Sequence, residues 1–416
     1  MKPEAEALAA RAHSAAARLA LLETRVKDRA LEAMASALLA QKTAILKANQ
    51  KDLTLAGQKR LSSALISRLT LDEKKLEAMA ASLISISKLK DPIGKAITET
   101  VRPNGLKIQK VRVPLGVIMI IYESRPNVTA DCMALCLKSG NSVILKGGSE
   151  AFHSNQAIFS TLNRAALGAG VPAGAFELVG ISGRQAVRSL LKMDDKIQLV
   201  IPRGGESLIR EVAKNSKIPV IKHTKGLCHV YVDKKADLKK ASAIVLNAKT
   251  QNPGVCNAME TLLVHEGIAG RFLPEMGRLL SQKNVEVRGD AASRKLVPGF
   301  KKATGKDWAE EYLDLILSVR VVKNLSAAVD HIRKYGSSHS DAIVTEDEKA
   351  AASFAHEVDS ACVFLNCSTR FNDGGEFGMG AEMGISTDKL HARGPMGLEE
   401  LTSYKYVVTG SGQIRK

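Results

Sequence analysis

Between residues 142 and 214 short apolar runs and amphipathic stretches take turns, and that alternation constrains the fold more than any other feature of the chain. Runs at 142–145, 176–179 and 197–201 have the length of buried strands, while 149–167, 184–193 and 206–214 repeat apolar residues at helical spacing. Strand, helix, strand in succession means a parallel sheet joined by right-handed crossovers. The continuous apolar run 113–121 reads as a further strand buried on both faces, and 220–222, entered through Pro219, as another. A second series comes next, with strands at 229–232, 262–264, 285–287, 316–322, 342–344 and 362–365 and helices at 238–247, 268–280 and 325–335. At 416 residues the chain is too long for one core, and the two series meet near residue 225 as two α/β lobes.

Other segments flank these lobes. Residues 1 to about 90 are rich in Ala, Leu and Lys at helical spacing and end at Asp91-Pro92. Residues 97–112 alternate apolar and polar around Pro103-Asn104-Gly105, a hairpin signal, and 404–409 form a β-prone tail suited to pairing with an exposed edge.

A net charge of +17 raises the question of nucleic acid, but the lysines are dispersed along amphipathic helices and aromatics make up only 4%. Without basic and aromatic residues interleaved to stack bases, solvated helix faces and the steering of anionic small molecules account for the charge. Six cysteines without paired metal-ligand spacing argue for free thiols in a reducing compartment and against a bound metal. The N-terminal residues carry acids and no signal-like apolar core, and no run approaches a membrane span, so a cytoplasmic protein is expected.

Three glycine-bearing loops succeed strands of the first lobe: Lys146-Gly147-Gly148, Gly180 to Gly183, and Arg203-Gly204-Gly205. Glycine lets backbone approach a phosphate, each loop opens a helix, and open parallel sheets bind ligands at the carboxyl ends of their strands. Neither a Walker A sequence nor an intact Gly-x-Gly-x-x-Gly is present, so a dinucleotide would be held in an atypical way. In the second lobe Cys256 lies in Gln251-Asn252-Pro253-Gly254-Val255-Cys256-Asn257, a bent loop before an apolar helix or strand. Backbone N–H groups left unpaired there lower a thiol's pKa and can hold an oxyanion; the alternative is a small buried apolar residue. Cys132, Cys136 and Cys362 read as core; Cys228 and Cys367 lack the loop setting. Gly374-Gly375 and residues 378–384 read as a glycine-rich loop near the second lobe.

Several stretches carry a resemblance: Val113-Pro114-Leu115-Gly116, Tyr122-Glu123-Ser124-Arg125-Pro126-Asn127, Lys138-Ser139-Gly140-Asn141, Ile201-Pro202-Arg203-Gly204, the 251–261 loop, His339-Ser340-Asp341 and Lys389-Leu390-His391-Ala392-Arg393-Gly394-Pro395. Through them the chain resembles, end to end, the gamma-glutamyl phosphate reductase (glutamate-5-semialdehyde dehydrogenase) family, a branch of the aldehyde dehydrogenase superfamily. The resemblance implies an α/β fold of two lobes with parallel sheets and a small β-arm for homo-oligomerisation. It divides the chain into a cofactor-binding domain at 1–225 with the 97–112 hairpin, a catalytic domain at 226–385, and a segment at 386–416 returning to the cofactor side and the arm.

It further implies NADPH-dependent reduction of L-glutamyl 5-phosphate to glutamate 5-semialdehyde and phosphate, the second step of proline biosynthesis from glutamate, in functional coupling to glutamate 5-kinase. By position Cys256 matches the catalytic thiol, Lys146 a lysine on the cofactor ribose and Glu311 a glutamate on the nicotinamide ribose. Ser149 stands where a carboxylate would repel a 2′-phosphate. Gly147, Gly148, Gly180, Gly183, Arg203, Gly204 and Gly205 fall to the cofactor. Either Asn127 or Arg125 supports the oxyanion, and Arg125, Arg370, His391 and Arg393 are candidates for the substrate carboxylate. Hydrolytic relatives present a water-activating glutamate where this chain has Lys222-His223-Thr224-Lys225-Gly226. Its absence suits a reaction that exchanges acyl groups with phosphate. A hydrolytic or CoA-acylating aldehyde dehydrogenase is the alternative.

Overall fold

In the computed structural model, which describes residues 2–180, 183–222 and 225–415, the turn at residues 102–106 joins Ala96–Val101 (β1) to Lys107–Pro114 (β2) as an antiparallel hairpin. The apolar run after the hairpin is two strands rather than one. Gly116 takes φ +126°, open only to glycine, and a Cβ there would lie 2.5 Å from Gln198 Oε1, so the chain turns before Val117–Tyr122 (β3). The Val117 N–H donates to that same Gln198 oxygen at 2.8 Å, and the Gly116 N–H to Asn141 Oδ1 at 2.9 Å. All six β3 side chains are buried, each large aliphatic one contributing about 1.5–3 kcal/mol.

Three more strands, Ser142–Lys146 (β4), Phe176–Leu178 (β5) and Leu199–Arg203 (β6), join β3 in a parallel sheet of order β5-β4-β3-β6. The order reverses between β3 and β6, which puts a crevice outside their carboxyl ends. The stretch expected as a strand at 220–222 is a single bridge, Val200 to Val220, because Pro219 offers a carbonyl and no N–H. The helix expected from residue 149 opens with a 3₁₀ turn, Ser149–Ala151, before Phe152–Gly168.

The helices expected over the first ninety residues run from Lys2–Leu19 to Glu73–Ser87. Not all of the lysines lie on solvated faces. Lys27 is buried against Asp91 at 2.9 Å, and Lys138 against Asp28 and the Ser87 carbonyl. The stretch Lys138-Ser139-Gly140-Asn141 thus does structural work, since Asn141 also donates to the Leu401 carbonyl at 2.8 Å.

The second sheet has seven parallel strands: Cys228–Val232 (β7), Met259–His265 (β8), Glu286–Gly289 (β9), Lys301–Lys302 (β10), Ile316–Val322 (β11), Ser340–Val344 (β12) and Cys362–Leu365 (β13), in the order β10-β9-β11-β8-β7-β12-β13. A two-stranded piece, Ile385–Ser386 (β14) with Gly394–Pro395 (β15), comes after them. The last strand, Thr402–Thr409 (β16), lies antiparallel on β2 and completes a three-stranded sheet β1-β2-β16, so the tail and the hairpin pair as anticipated.

Two compact units result. One comprises residues 2–222 with Gly378–Gly384 and 396–415, the other 225–377 with Ile385–Pro395. The single break expected at residue 385 is therefore replaced by three. Met383 and Gly384 bond backbone to backbone with Met396 in the first unit, while Ile385 and Ser386 pair with Pro395 and Gly394 in the second. Among the described residues no helix is long and apolar enough to cross a membrane.

Candidate functional site

In the first unit, glycines at the mouth of β4 form a cradle. A Cβ at Gly147 would lie 2.1 Å from Asn155 Nδ2, and one at Gly148 2.1 Å from Glu150 Oε1, so a side chain at either position would have to displace these groups. Lys146, at the carboxyl end of β4, is half-buried and donates to the Gly147 carbonyl at 2.6 Å; burial lowers its pKa while Glu150 opposes the shift. Ser149 is exposed. Its neighbour Glu150 is turned back onto Ser124, accepting from the backbone N–H at 2.9 Å and from Oγ at 2.5 Å. Burial pushes against ionisation of Glu150, but these hydrogen bonds hold it below its ordinary pKa.

At the crevice between β3 and β6 the sequence reading missed a residue. Glu123 Oε2 accepts from the Gly205 N–H at 2.9 Å, and its carboxyl group fills the space a Cβ at Gly204 would need. An anion of the protein therefore already stands at the start of the helix Glu206–Asn215, where the dipole favours negative charge. Arg203 reaches the Glu382 carbonyl at 3.5 Å. Gly180 and Gly205 face open space, and Gly183 opens the helix Gly183–Leu190. Arg125 and Asn127 are both exposed, and the Asn127 amide donates to Asp131, one turn on, at 3.2 Å.

In the second unit, the site is built at the amino ends of the strands, opposite to the rule that finds the β4 loop. Gly226 precedes β7, Cys256 precedes β8 and Glu311 precedes β11. Cys256 leads into a strand rather than a helix, out of a turn closed by the Ala258 N–H on the Val255 carbonyl at 3.1 Å. Cys256 is partly exposed. Its backbone is pressed against Gly226, where a Cβ would come within 2.1 Å of the Cys256 carbonyl oxygen and 2.5 Å of Cα. That carbonyl accepts from the buried Cys228 thiol at 3.2 Å. Burial raises the Cys228 pKa well above normal, which leaves it an inert donor.

The residue after the thiol is clamped as well: Asn257 donates to the Asn372 carbonyl at 2.9 Å, and its own carbonyl accepts from Thr369 Oγ1 at 2.8 Å. This brings the 3₁₀ turn Thr369–Phe371 to the Cys256 turn. Arg370 donates through Nε to Gln251 Oε1 at 2.8 Å. Burial lowers the Arg370 pKa, and among the charges opposing that shift is Cys256, so a half-buried cation stands near the thiol. Glu311 Oε1 accepts from the Gly226 N–H at 2.8 Å. Glu260 forms a fully buried ion pair with Lys249 at 2.7 Å; burial pushes its carboxyl up to about 7 against the pull of Lys249. Breaking one partner of such a pair costs about 3–5 kcal/mol.

Of the sequence candidates, Cys256, Arg370 and Glu311 are therefore brought together in this unit. Arg393 is not joined to them: it pairs with Asp359 through Nη1 at 2.8 Å and the Asp359 carbonyl through Nη2 at 2.8 Å. His391 is exposed at φ +70°. Lys225 reaches the Ala309 carbonyl at 3.4 Å, whereas His223 and Thr224 lie outside the described residues. Among the described residues no group of three or more His, Cys, Asp and Glu could hold a metal ion. Gly226 and Glu260 were missed because their partners are distant in sequence; both adjoin motif residues, which is the one local signal they carry.

The aldehyde dehydrogenase family model matches residues 2–296. Curated relatives include the gamma-glutamyl phosphate reductase of Caldanaerobacter subterraneus, 54% identical over 413 residues, covering 99% of this chain and 100% of that one. That of Moorella thermoacetica is 55% identical over 406 residues, covering 98% and 97%. Among solved structures, the gamma-glutamyl phosphate reductase of Thermotoga maritima superposes with a TM-score of 0.97 at 45% identity, covering 99% of this chain and 100% of its own. An acetylating aldehyde dehydrogenase from Geobacillus thermoglucosidasius shares the fold at a TM-score of 0.70 and 16% identity, over 100% and 98% of the two chains. With the family model over residues 2–296 and the full-length matches agreeing, this chain belongs to the gamma-glutamyl phosphate reductases of the aldehyde dehydrogenase family.

Proposed function

We propose that this chain reduces L-glutamyl 5-phosphate to L-glutamate 5-semialdehyde with release of phosphate, using NADPH and a thioester on Cys256. The observation that carries the reading is the 54% identity over 99% of the chain to a relative bearing the name of that reaction. The Cys256 thiolate attacks the acyl carbon, the carbon–oxygen bond to phosphate breaks, and the acyl group rests on Sγ. The Cys256 backbone N–H holds the oxyanion, with Asn127 or Arg125 as the side-chain partner; an Asn amide has two N–H groups, one of which Asp131 takes up here. After reduction the carbon–sulfur bond breaks, the aldehyde leaves and the thiolate is restored.

The first unit's residues fit a nicotinamide nucleotide: Gly147 and Gly148 leave the backbone bare at the strand end, where Lys146 offers an amine. Bound there, NADPH supplies the hydride for the thioester carbon. Ser149 leaves room for a 2′-phosphate, and Glu311 takes the nicotinamide ribose. Arg370 is the favoured cation for the substrate carboxylate, because it shares contacts with the Cys256 turn. The exposed Tyr404, Tyr406, Val408 and Val101 of the β1-β2-β16 sheet suit a second copy of the chain. Cytoplasmic location and functional coupling to a glutamate kinase, which would deliver the unstable acyl phosphate, complete the reading.

The test runs the reaction backwards, with glutamate 5-semialdehyde and NADP⁺. NADPH absorbance should appear only when inorganic phosphate is added. Turnover without phosphate, or with CoA in its place, would point instead to a hydrolytic or CoA-acylating enzyme.

A further inference from the structure

Around Cys256 the second unit closes a ring of contacts, one member of which, Glu260, is half of an ion pair between two charged side chains with no solvent exposure. Lys249, in the last turn of the helix Leu238–Thr250, and Glu260, in β8, bracket the Cys256 turn along the chain and pair at 2.7 Å, each side chain 0% exposed. The other oxygen of Glu260, Oε1, accepts from the Leu313 N–H at 3.1 Å. Leu313 stands at φ +52°, an unfavourable conformation for a branched side chain that its surroundings must hold. Two residues earlier Glu311 accepts from the Gly226 N–H, and Gly226 abuts the Cys256 backbone. The ring therefore runs from Cys256 along the chain to Glu260, across to Leu313, along the chain to Glu311, across to Gly226 and back to Cys256.

A buried ion pair is seldom more stable than well-packed apolar residues of the same volume, so packing alone does not account for one here. We infer that Lys249 and Glu260 are positioning residues for the reaction: Lys249 orients the Glu260 carboxylate, which pins residues 311–313 and thereby sets where Glu311 and the Cys256 turn stand. This rests on the reading of Cys256 as the nucleophile.

Two double variants of the full chain separate positioning from filling. In K249M/E260M volume is kept and both charges go, but nothing accepts from Leu313. In K249M/E260Q the Gln carbonyl oxygen still can. The readouts are thermal midpoint, kcat, the KM for NADPH and the rate at which iodoacetamide alkylates Cys256. For K249M/E260M the expected result is a midpoint no lower than that of the unaltered chain, with kcat down about 10- to 100-fold, since small misplacements near the chemistry have that effect. The KM for NADPH rises and the alkylation rate changes, each by at least about threefold on the same ground. K249M/E260Q recovers part of the kcat and KM, because the Gln oxygen again accepts from Leu313, and the remaining shortfall is the share of Lys249.

Kinetics and alkylation of K249M/E260M close to those of the unaltered chain would overturn the inference, as would K249M/E260Q being equally impaired. Should K249M/E260M not fold, Glu260→Asp, one methylene too short to reach both partners, is expected to show the same kinetic loss, and its absence would count against the pair. Cys256→Ala is run alongside. If it still turns over, the nucleophile reading fails; if it is dead while the paired variants are unaffected, only the positioning role fails.

Discussion

Gly226 lies so close to Cys256 that a single added carbon would sit 2.1 Å from the Cys256 carbonyl oxygen. Backbone against backbone leaves no flexible side chain to give way. Gly226→Ala is therefore expected to displace the Cys256 turn, lowering kcat by about 100-fold or more. Overpacking at such a contact costs about 1–3 kcal/mol. Steady-state kinetics and a denaturant melt together check it; an Ala variant of normal activity would show that the turn is softer than this contact implies.

Arg370 should separate substrate from cofactor. Its guanidinium is half-buried and bonded to Gln251 beside the Cys256 turn. Loss of a charge-assisted hydrogen bond is worth about 1.5–3 kcal/mol, so Arg370→Ala should raise the KM for glutamate 5-semialdehyde roughly 10- to 150-fold and leave the KM for NADP⁺ near its original value. Arg393→Ala, which leaves Asp359 paired with Lys389 alone, should leave the semialdehyde KM unchanged. The reverse ranking in an initial-rate comparison would move the carboxylate site to Arg393.

Glu123 places a carboxylate on the Gly205 N–H, in the crevice where the first unit would receive pyrophosphate. Replacing it by Gln frees a helix N-terminus that favours anions from a charge of the same sign as the pyrophosphate. The gain of about 0.3–1 kcal/mol corresponds to NADPH binding roughly two- to fivefold tighter. Isothermal titration with NADPH measures this directly; weaker binding would mean that Glu123 supports the loop more than it obstructs the nucleotide.

His331 gives the fold an acid-sensitive point. It is buried, its Nδ1 accepts from Arg320 at 2.7 Å, and burial, followed by the nearby His229 and Arg320, pushes its pKa down to about 2. Because the folded value lies below that of the unfolded chain, the neutral ring's stability is fully present above about pH 6.5 and is lost as pH falls toward 2. The limiting slope is about 1.4 kcal/mol per pH unit, and His331→Gln should flatten it. Urea melts between pH 5 and 8 decide; parallel curves for the two proteins would place the sensitivity elsewhere.

Much of the architecture can be read from residue patterns, because alternation of apolar runs and helical repeats is local. The 316–322 strand, the 325–335 helix and the tail that pairs with β2 are all visible that way. The Val113 to Ile121 run misleads because nothing in its apolarity announces that Gly116 turns the chain against Gln198, some eighty residues on. Lys27, Lys138 and Lys249 look like surface residues for a related reason: a lysine is buried only by a partner, and Asp91, Asp28 and Glu260 are visible as partners only once the chain has folded. At the candidate site, the turn that carries Cys256 was legible from Pro253 and Gly254, whereas Glu123 and Gly226 make contacts with Gly205 and Cys256 that spacing does not encode.

The ladder between β2 and β16 pairs Lys107 with Thr409 and Pro114 with Thr402, and its Arg112 to Thr402 contact spans 290 residues of chain. During synthesis at about 5–20 residues per second, the hairpin would emerge roughly 15–60 s before the strand that covers it. For that interval β2 presents an unpaired edge with Ile108 and Val111 along it, open to any other nascent copy. The moment at which the arm is completed is thus set by the synthesis of β16 rather than by the collapse of either core.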